Sequence, residues 1–191
     1  MCISGHAAYG MITTPSGRIV DLARPDPAAW PLRDVGAALA VAAASPGGGT
    51  GAYSLAQRAC LAHDLAAPDA RAAALLWDAP AALGIGGPPG FLSDEGTRLV
   101  GAWRAAVLAA AGYTRPLPRD LARSVAAARA RVLVTEARDL LPATLAPPAS
   151  PTAPPFSMTA QPLPARIRPW PWHQAWERWA ERLDDAVALA A

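Results

Sequence analysis

Trp172, Trp176, Trp179 and Leu183 stand at i, i+4, i+7 and i+11, which puts three indoles and a leucine on one face of a helix running from about Trp172 to Ala190. So large an apolar face has two destinations, a core or an association surface, where aromatics are enriched. Core packing is the first reading, and it requires matching apolar faces elsewhere in the chain. Helical spacing supplies them. Leu32, Val35 and Leu39, with Val41 beside them, mark the buried side of a helix over about Pro31 to Ala44. Ser93 and Asp94 open another through Leu99, Trp103, Val107 and Leu108, closed by Gly112; a further one spans about Pro118 to Leu141 through Leu121, Val125, Val132 and Leu140. The pattern predicts an all-α fold.

Two features add detail. Between Met11 and Leu22, β-branched residues flank Pro15-Ser16-Gly17, which reads as a short N-terminal β-hairpin. Ser54-Leu55-Ala56-Gln57 is a capping box, in which Ser54 caps the Gln57 N–H and Gln57 reaches back, so a helix should run from there to about Leu65. Asp69 is expected to cap the next, ending near Trp77 to Pro80. Gly47 to Gly51 lacks the Gly-Lys-Ser/Thr ending of a phosphate loop and reads as a plain connection. At 191 residues and 52% hydrophobic content the chain should form one domain, 1–191. Within it lie an N-terminal segment (1–10), a Pro/Ala-rich loop (142–166) and a Trp-rich C-terminal helix (170–190).

Seventeen basic and fifteen acidic residues are spread along the chain, with no basic block, which argues against a nucleic-acid polymer as partner. Every basic residue is Arg, and the chain has no Lys and no Asn. Cys2 and Cys60 form neither a disulfide framework nor a C-x-x-C motif. Without a signal-like start or a long uncharged apolar run, the expectation is a cytoplasmic protein with no membrane partner.

Several local patterns follow one another in a definite order: Asp21-Leu22 and Pro25 after the hairpin, Asp34-Val35-Gly36-Ala37-Ala38-Leu39, Tyr53-Ser54-Leu55-Ala56-Gln57, Leu75-Leu76-Trp77-Asp78-Ala79, and Thr135-Glu136-Ala137-Arg138-Asp139-Leu140-Leu141. Ile167-Arg168-Pro169 precedes the last helix. In that order they resemble the HD-domain phosphohydrolases of the small nucleotidase-like branch, over roughly residues 11 to 185. The resemblance implies an HD-domain helical bundle and a divalent ion held by three His and two Asp, which activates water against a phosphate ester. It places the first His on or near Gly49, the second on Arg58, the His of the His-Asp pair on Trp77 and the distal Asp on or near Arg129. Only Asp78 keeps the family residue. Two acidic positions used around the leaving group fall near Ala81 and Gly86.

Gly and Trp offer a metal no ligand atom, and Arg repels one. His63 stands five residues beyond Arg58, turned roughly 140° from it on a helix, and His6 and His173 have no second ligand at helical spacing. The expectation is therefore no metal and no other cofactor. A buried Asp78 without its ion needs a cation, for which Arg58 and Arg129 are the candidates. Glu136 shares the Arg129 face of its helix and reads either as a helix-packing partner or as part of a pocket in which the arginines donate to phosphate. The ligand-binding candidates are thus Arg58, Trp77, Asp78, Arg129 and Glu136. The expected function is a non-catalytic HD-like protein that binds a nucleotide, a phosphate ligand or a protein partner. The alternatives are an active nucleotide phosphohydrolase with a rebuilt site and a structural subunit paired with an active relative. The resemblance also implies an oligomer, with itself or with such a relative.

Overall fold

The structure, a computed structural model, describes residues 10–44, 53–85, 92–141 and 160–188. Strands β1 (Met11–Thr13) and β2 (Ile19–Asp21) pair antiparallel, with Ile12 opposite Val20. Their turn needs a left-handed residue, which Gly17 supplies at φ +82°. Ser16 in that turn donates from both its N–H and its hydroxyl to Asp34, fixing the hairpin to the first helix. Helices α1 (Leu32–Val41), α2 (Leu55–Leu65), α3 (Arg71–Leu76), α4 (Ala79–Ala82), α5 (Asp94–Ala110), α6 (Arg119–Leu140) and α7 (Trp172–Ala188) make up the rest, with a 3-10 turn, Pro68–Ala70, before α3. The expected all-α architecture with an N-terminal hairpin is what the chain adopts. Among the described residues no helix is long and apolar enough to cross a membrane.

One buried cluster runs through the bundle, from Val20 and Trp30 through Leu39, Leu75, Trp103 and Val132 to Trp179 and Leu183. Helix α7 packs against α1, α2 and α3. Trp179 is its largest fully buried residue: the indole lies on Gly36 of α1, where a Cβ would overlap the ring atoms, and its Nε1 donates to Leu75 O at 3.3 Å. Trp103 of α5 stands edge-on to Trp30 at 6.3 Å between centroids, and donates to Leu22 O at 2.8 Å.

Several local expectations change. The tryptophan face of α7 divides: Trp179 and Leu183 are buried and Trp176 partly so, but Trp172, in the first turn, is 61% exposed. Val41 is also exposed, and α1 stops there rather than at Ala44, since Ala43 bridges to Ser54 instead. Asp69 caps nothing; it lies inside the 3-10 turn, and α3 starts from Ala70 without a side-chain cap. The helix expected up to Pro80 breaks at Trp77-Asp78, and a separate short turn, α4, begins at Ala79.

The capping box forms by half. Ser54 Oγ accepts from Gln57 N at 3.2 Å, but the buried Gln57 amide turns away from the cap. It donates to Arg168 O and accepts from Trp170 N, both at 2.8 Å, as a neighbouring strand would. The approach to α7 is held further by α6: Thr135 Oγ1 accepts from Leu163 N, Arg138 donates to Leu163 O and Ala165 O, and Asp139 accepts from Ile167 N. Six backbone groups of the irregular stretch 163–170 find side-chain partners in this way. The 142–159 part of the expected loop lies outside the described residues.

Candidate functional site

The residues flanking Gln57 and Thr135 face the other way, into a charged centre between α2, α4, α5 and α6. Arg58, next to Gln57, donates from Nε to Glu136 Oε1 at 2.8 Å and from a terminal nitrogen to Glu136 Oε2 at 2.6 Å. The same terminal nitrogen reaches Ala44 O at 2.9 Å. This is a two-toothed pair with little water: the side chains are 12% and 6% exposed. Burial pulls the Arg58 pKa down, and the hydrogen bonds and charge of Glu136 more than reverse it.

Two helical turns back along α6, Arg129 donates to Asp78 Oδ2 at 2.6 Å. Asp78 sits at the break between α3 and α4, where Pro80 in the first turn of α4 helps start a new helix. Burial raises its pKa, but the charge and hydrogen bond of Arg129, followed by the charges of Arg58 and Arg104, outweigh that and hold it below the ordinary carboxylate value. A carboxylate depressed on folding contributes stability that is full above its unfolded value near 3.8 and is lost as pH falls through the folded value. Acid titration of the protein, followed by circular dichroism, should therefore show stability declining below about pH 4. Asp78→Asn should be less stable than the native chain at neutral pH and should lose less of its stability on acidification. Asp64, held low by His63 and Arg182 against its own burial, and Asp139, held low mainly by Arg138, remain acid-sensitive in both proteins.

Two further residues complete the centre. Arg104 of α5 donates from Nε to Trp77 O at 3.1 Å, and its guanidinium carbon lies 4.6 Å from the centroid of the Trp77 ring. Burial lowers its pKa, the positive charge of Arg129 lowers it further, and Asp78 only partly offsets them. Tyr53 is buried, with its hydroxyl beside the Glu136 carboxylate. Burial, then the negative charge of Glu136 and a hydrogen bond to it, push that phenol far above its usual range, so it stays protonated. Asp78, Glu136 and Tyr53 are buried, while Arg58, Arg104, Arg129 and Trp77 are partly exposed.

All five sequence candidates, Arg58, Trp77, Asp78, Arg129 and Glu136, meet in this one place. The pairing is divided between them: Arg129 takes Asp78, and Arg58 takes Glu136. Arg104 and Tyr53 were not among the candidates. Tyr53 stands in a motif of the resemblance without an assigned role, and Arg104 lies one residue after Trp103, at the edge of an apolar stripe where an arginine is ordinarily solvated. His63 points elsewhere, bonding Asp64 at 2.9 Å, and His173 lies on the surface against Trp172. Gly49, Gly86 and His6 lie outside the described residues.

The divalent ion that the resemblance implies fits these residues poorly. Asp78 is the one carboxylate the resemblance assigns to it, and that carboxylate already accepts from Arg129. Among the described residues no three His, Cys, Asp or Glu side chains gather as a metal site requires. What the centre can do is hold charge in a fixed arrangement and present guanidinium donors beside an aromatic ring. No protein-family model and no curated protein matches the chain.

Proposed function

We propose that this is a degenerate HD-domain protein that does not hydrolyse phosphate esters and instead binds a nucleotide or another phosphate-bearing ligand. The observation behind this reading is the Arg129–Asp78 pair at 2.6 Å, a fixed cation beside the carboxylate that the resemblance assigns to the metal. Hydrolysis by the family's route needs an activated water, and a protonated guanidinium cannot activate one. Partly exposed arginine forks beside buried carboxylates suit recognition of phosphate oxygens. The proposed setting is cytoplasmic, without a metal cofactor.

A second reading, a structural subunit of a homo- or hetero-oligomer, is favoured by Trp172, a large aromatic left exposed at the start of α7. Four measurements separate the readings. The purified protein should hold no stoichiometric metal and should release no phosphate from deoxynucleoside mono- or triphosphates. Phosphate-bearing ligands should raise its melting temperature, because they bind only the native state. Turnover abolished by Asp78→Ala would replace both readings with an active phosphohydrolase whose site has been rebuilt. A stable oligomer broken by Trp172→Glu, with no ligand-induced shift, would favour the subunit.

A further inference from the structure

The stretch before α7 is held by hydrogen bonds more than by packing. Over 161–168, side chains of α2 and α6 bond six backbone groups. Arg131 donates to Gln161 O, Arg138 to Leu163 O and Ala165 O, and Gln57 to Arg168 O. Thr135 Oγ1 accepts from Leu163 N at 2.9 Å, and Asp139 from Ile167 N at 2.8 Å. Leu163 and Ile167 are half-buried and stand outside the core cluster, and the other side chains of the stretch are exposed. The helices therefore read its main chain and leave its side chains largely unread.

Proline placement follows the same pattern. The two N–H groups that are taken belong to Leu163 and Ile167, while Pro162, Pro164 and Pro169, which have none to give, fall between and beyond them. Proline at those positions also keeps the run extended, which reduces the entropy lost when it is laid down.

The helix face beneath is specialised for such a guest. Gln57 is 2% exposed, Thr135 0% and the Asp139 side chain 2%, and each spends a polar atom on this backbone. Arg138 bonds both carboxylate oxygens of Asp139, so the donor to Leu163 O and the acceptor from Ile167 N hold each other in place. Only the α7 end of the stretch is anchored by packing: Trp170 lies against the core cluster and under Arg178, and its N–H donates to Gln57. A segment held by polar contacts at the surface, with little apolar burial, opens locally while the domain stays folded.

We propose that the face of α2 and α6 bearing Gln57, Arg131, Thr135, Arg138 and Asp139 is a peptide-binding groove with 161–168 as its removable occupant. Its ligand class is an extended peptide with free N–H groups four residues apart and proline between them, which replaces 161–168 while α7 stays docked. The groove is separate from the arginine centre and does not depend on the anion-binding reading.

The test uses the full chain and a dye-labelled synthetic copy of residues 161–168. In NMR-resolved hydrogen exchange, the Leu163 and Ile167 amides should exchange at least about 10-fold faster than those of Val132 and Trp179 in the buried parts of α6 and α7. The native chain should bind the free peptide weakly, because its own copy is tethered at an effective concentration on the order of millimolar. The variant Leu163→Pro with Ile167→Pro, which removes both N–H groups from the resident segment, should bind the peptide at least about 10-fold more tightly. A peptide carrying proline at the same two positions should not bind. Leu163 and Ile167 amides that exchange only with global unfolding overturn the removable occupant. A folded variant that does not bind the peptide, or binds it no better than the native chain, overturns the groove. If the variant does not fold, by circular dichroism, the exchange rates and the native chain's discrimination between the two peptides decide.

Discussion

Arg58→Ala is expected to lower unfolding stability by about 3–5 kcal/mol, the usual cost of removing one member of a buried ion pair. The loss comes less from the absent guanidinium than from what it leaves behind. Glu136 stays buried beside Tyr53 with both its guanidinium hydrogen bonds gone, and Ala44 O loses a donor as well. Against a total stability of about 5–15 kcal/mol for a domain, that is a large fraction. The double variant Arg58→Met with Glu136→Leu should recover most of it, because both charges then leave the core together and apolar side chains of similar reach replace them. Urea denaturation checks both, as a shifted midpoint with an unchanged slope. A single-variant loss below about 1 kcal/mol would show the pair to be as well solvated as a surface bridge.

Gly36→Ala should lose about 2 kcal/mol or more, although helix propensity alone argues for a gain of about 1 kcal/mol. Gly36 lies within α1, and a Cβ there overlaps the Trp179 ring at Cε3, Cζ3 and Cδ2. The indole has no room to withdraw, being fully buried and tethered to Leu75 O. Either α1 and α7 separate along their contact or Trp179 leaves its rotamer, and both forfeit core packing. The check is thermal or chemical denaturation of Gly36→Ala alone and in a Trp179→Phe background, where the smaller ring should make the added methyl less costly. A stabilised Gly36→Ala protein would mean that the helices slide apart freely.

Helical spacing was enough to read the all-α fold, because α1, α5, α6 and α7 each keep their apolar residues on one side over several turns. Sequence reading failed where a distant residue competes for a local group. Gln57 has the spacing to close its own capping box, but the backbone 111 residues further on offers it two better-placed partners. Asp69 looks like a cap only until Pro68 draws it into a 3-10 turn. At the centre, residue types told which charges would meet but not how they would pair. Arg58 and Arg129 were equal candidates for Asp78, and the choice depends on how α2 and α6 cross, which no spacing along either helix records. Arg104 left no signal, since its placement comes from α5 packing against the break after α3.

The Gly36–Trp179 contact joins residues far apart in the chain, and it has a consequence for how the protein is made. Helices α1, α2 and α3 emerge from the ribosome long before α7, with the surfaces it will cover still bare. Early segments can form local helix, but the notch in α1 stays unfilled until residues 172–188 arrive and dock. During that interval the nascent chain offers apolar surface to chaperones and to other copies of itself. A change that slows α7 docking, such as a bulkier residue at 36, would then lower the yield of soluble protein in the cell by more than its effect on the finished fold predicts.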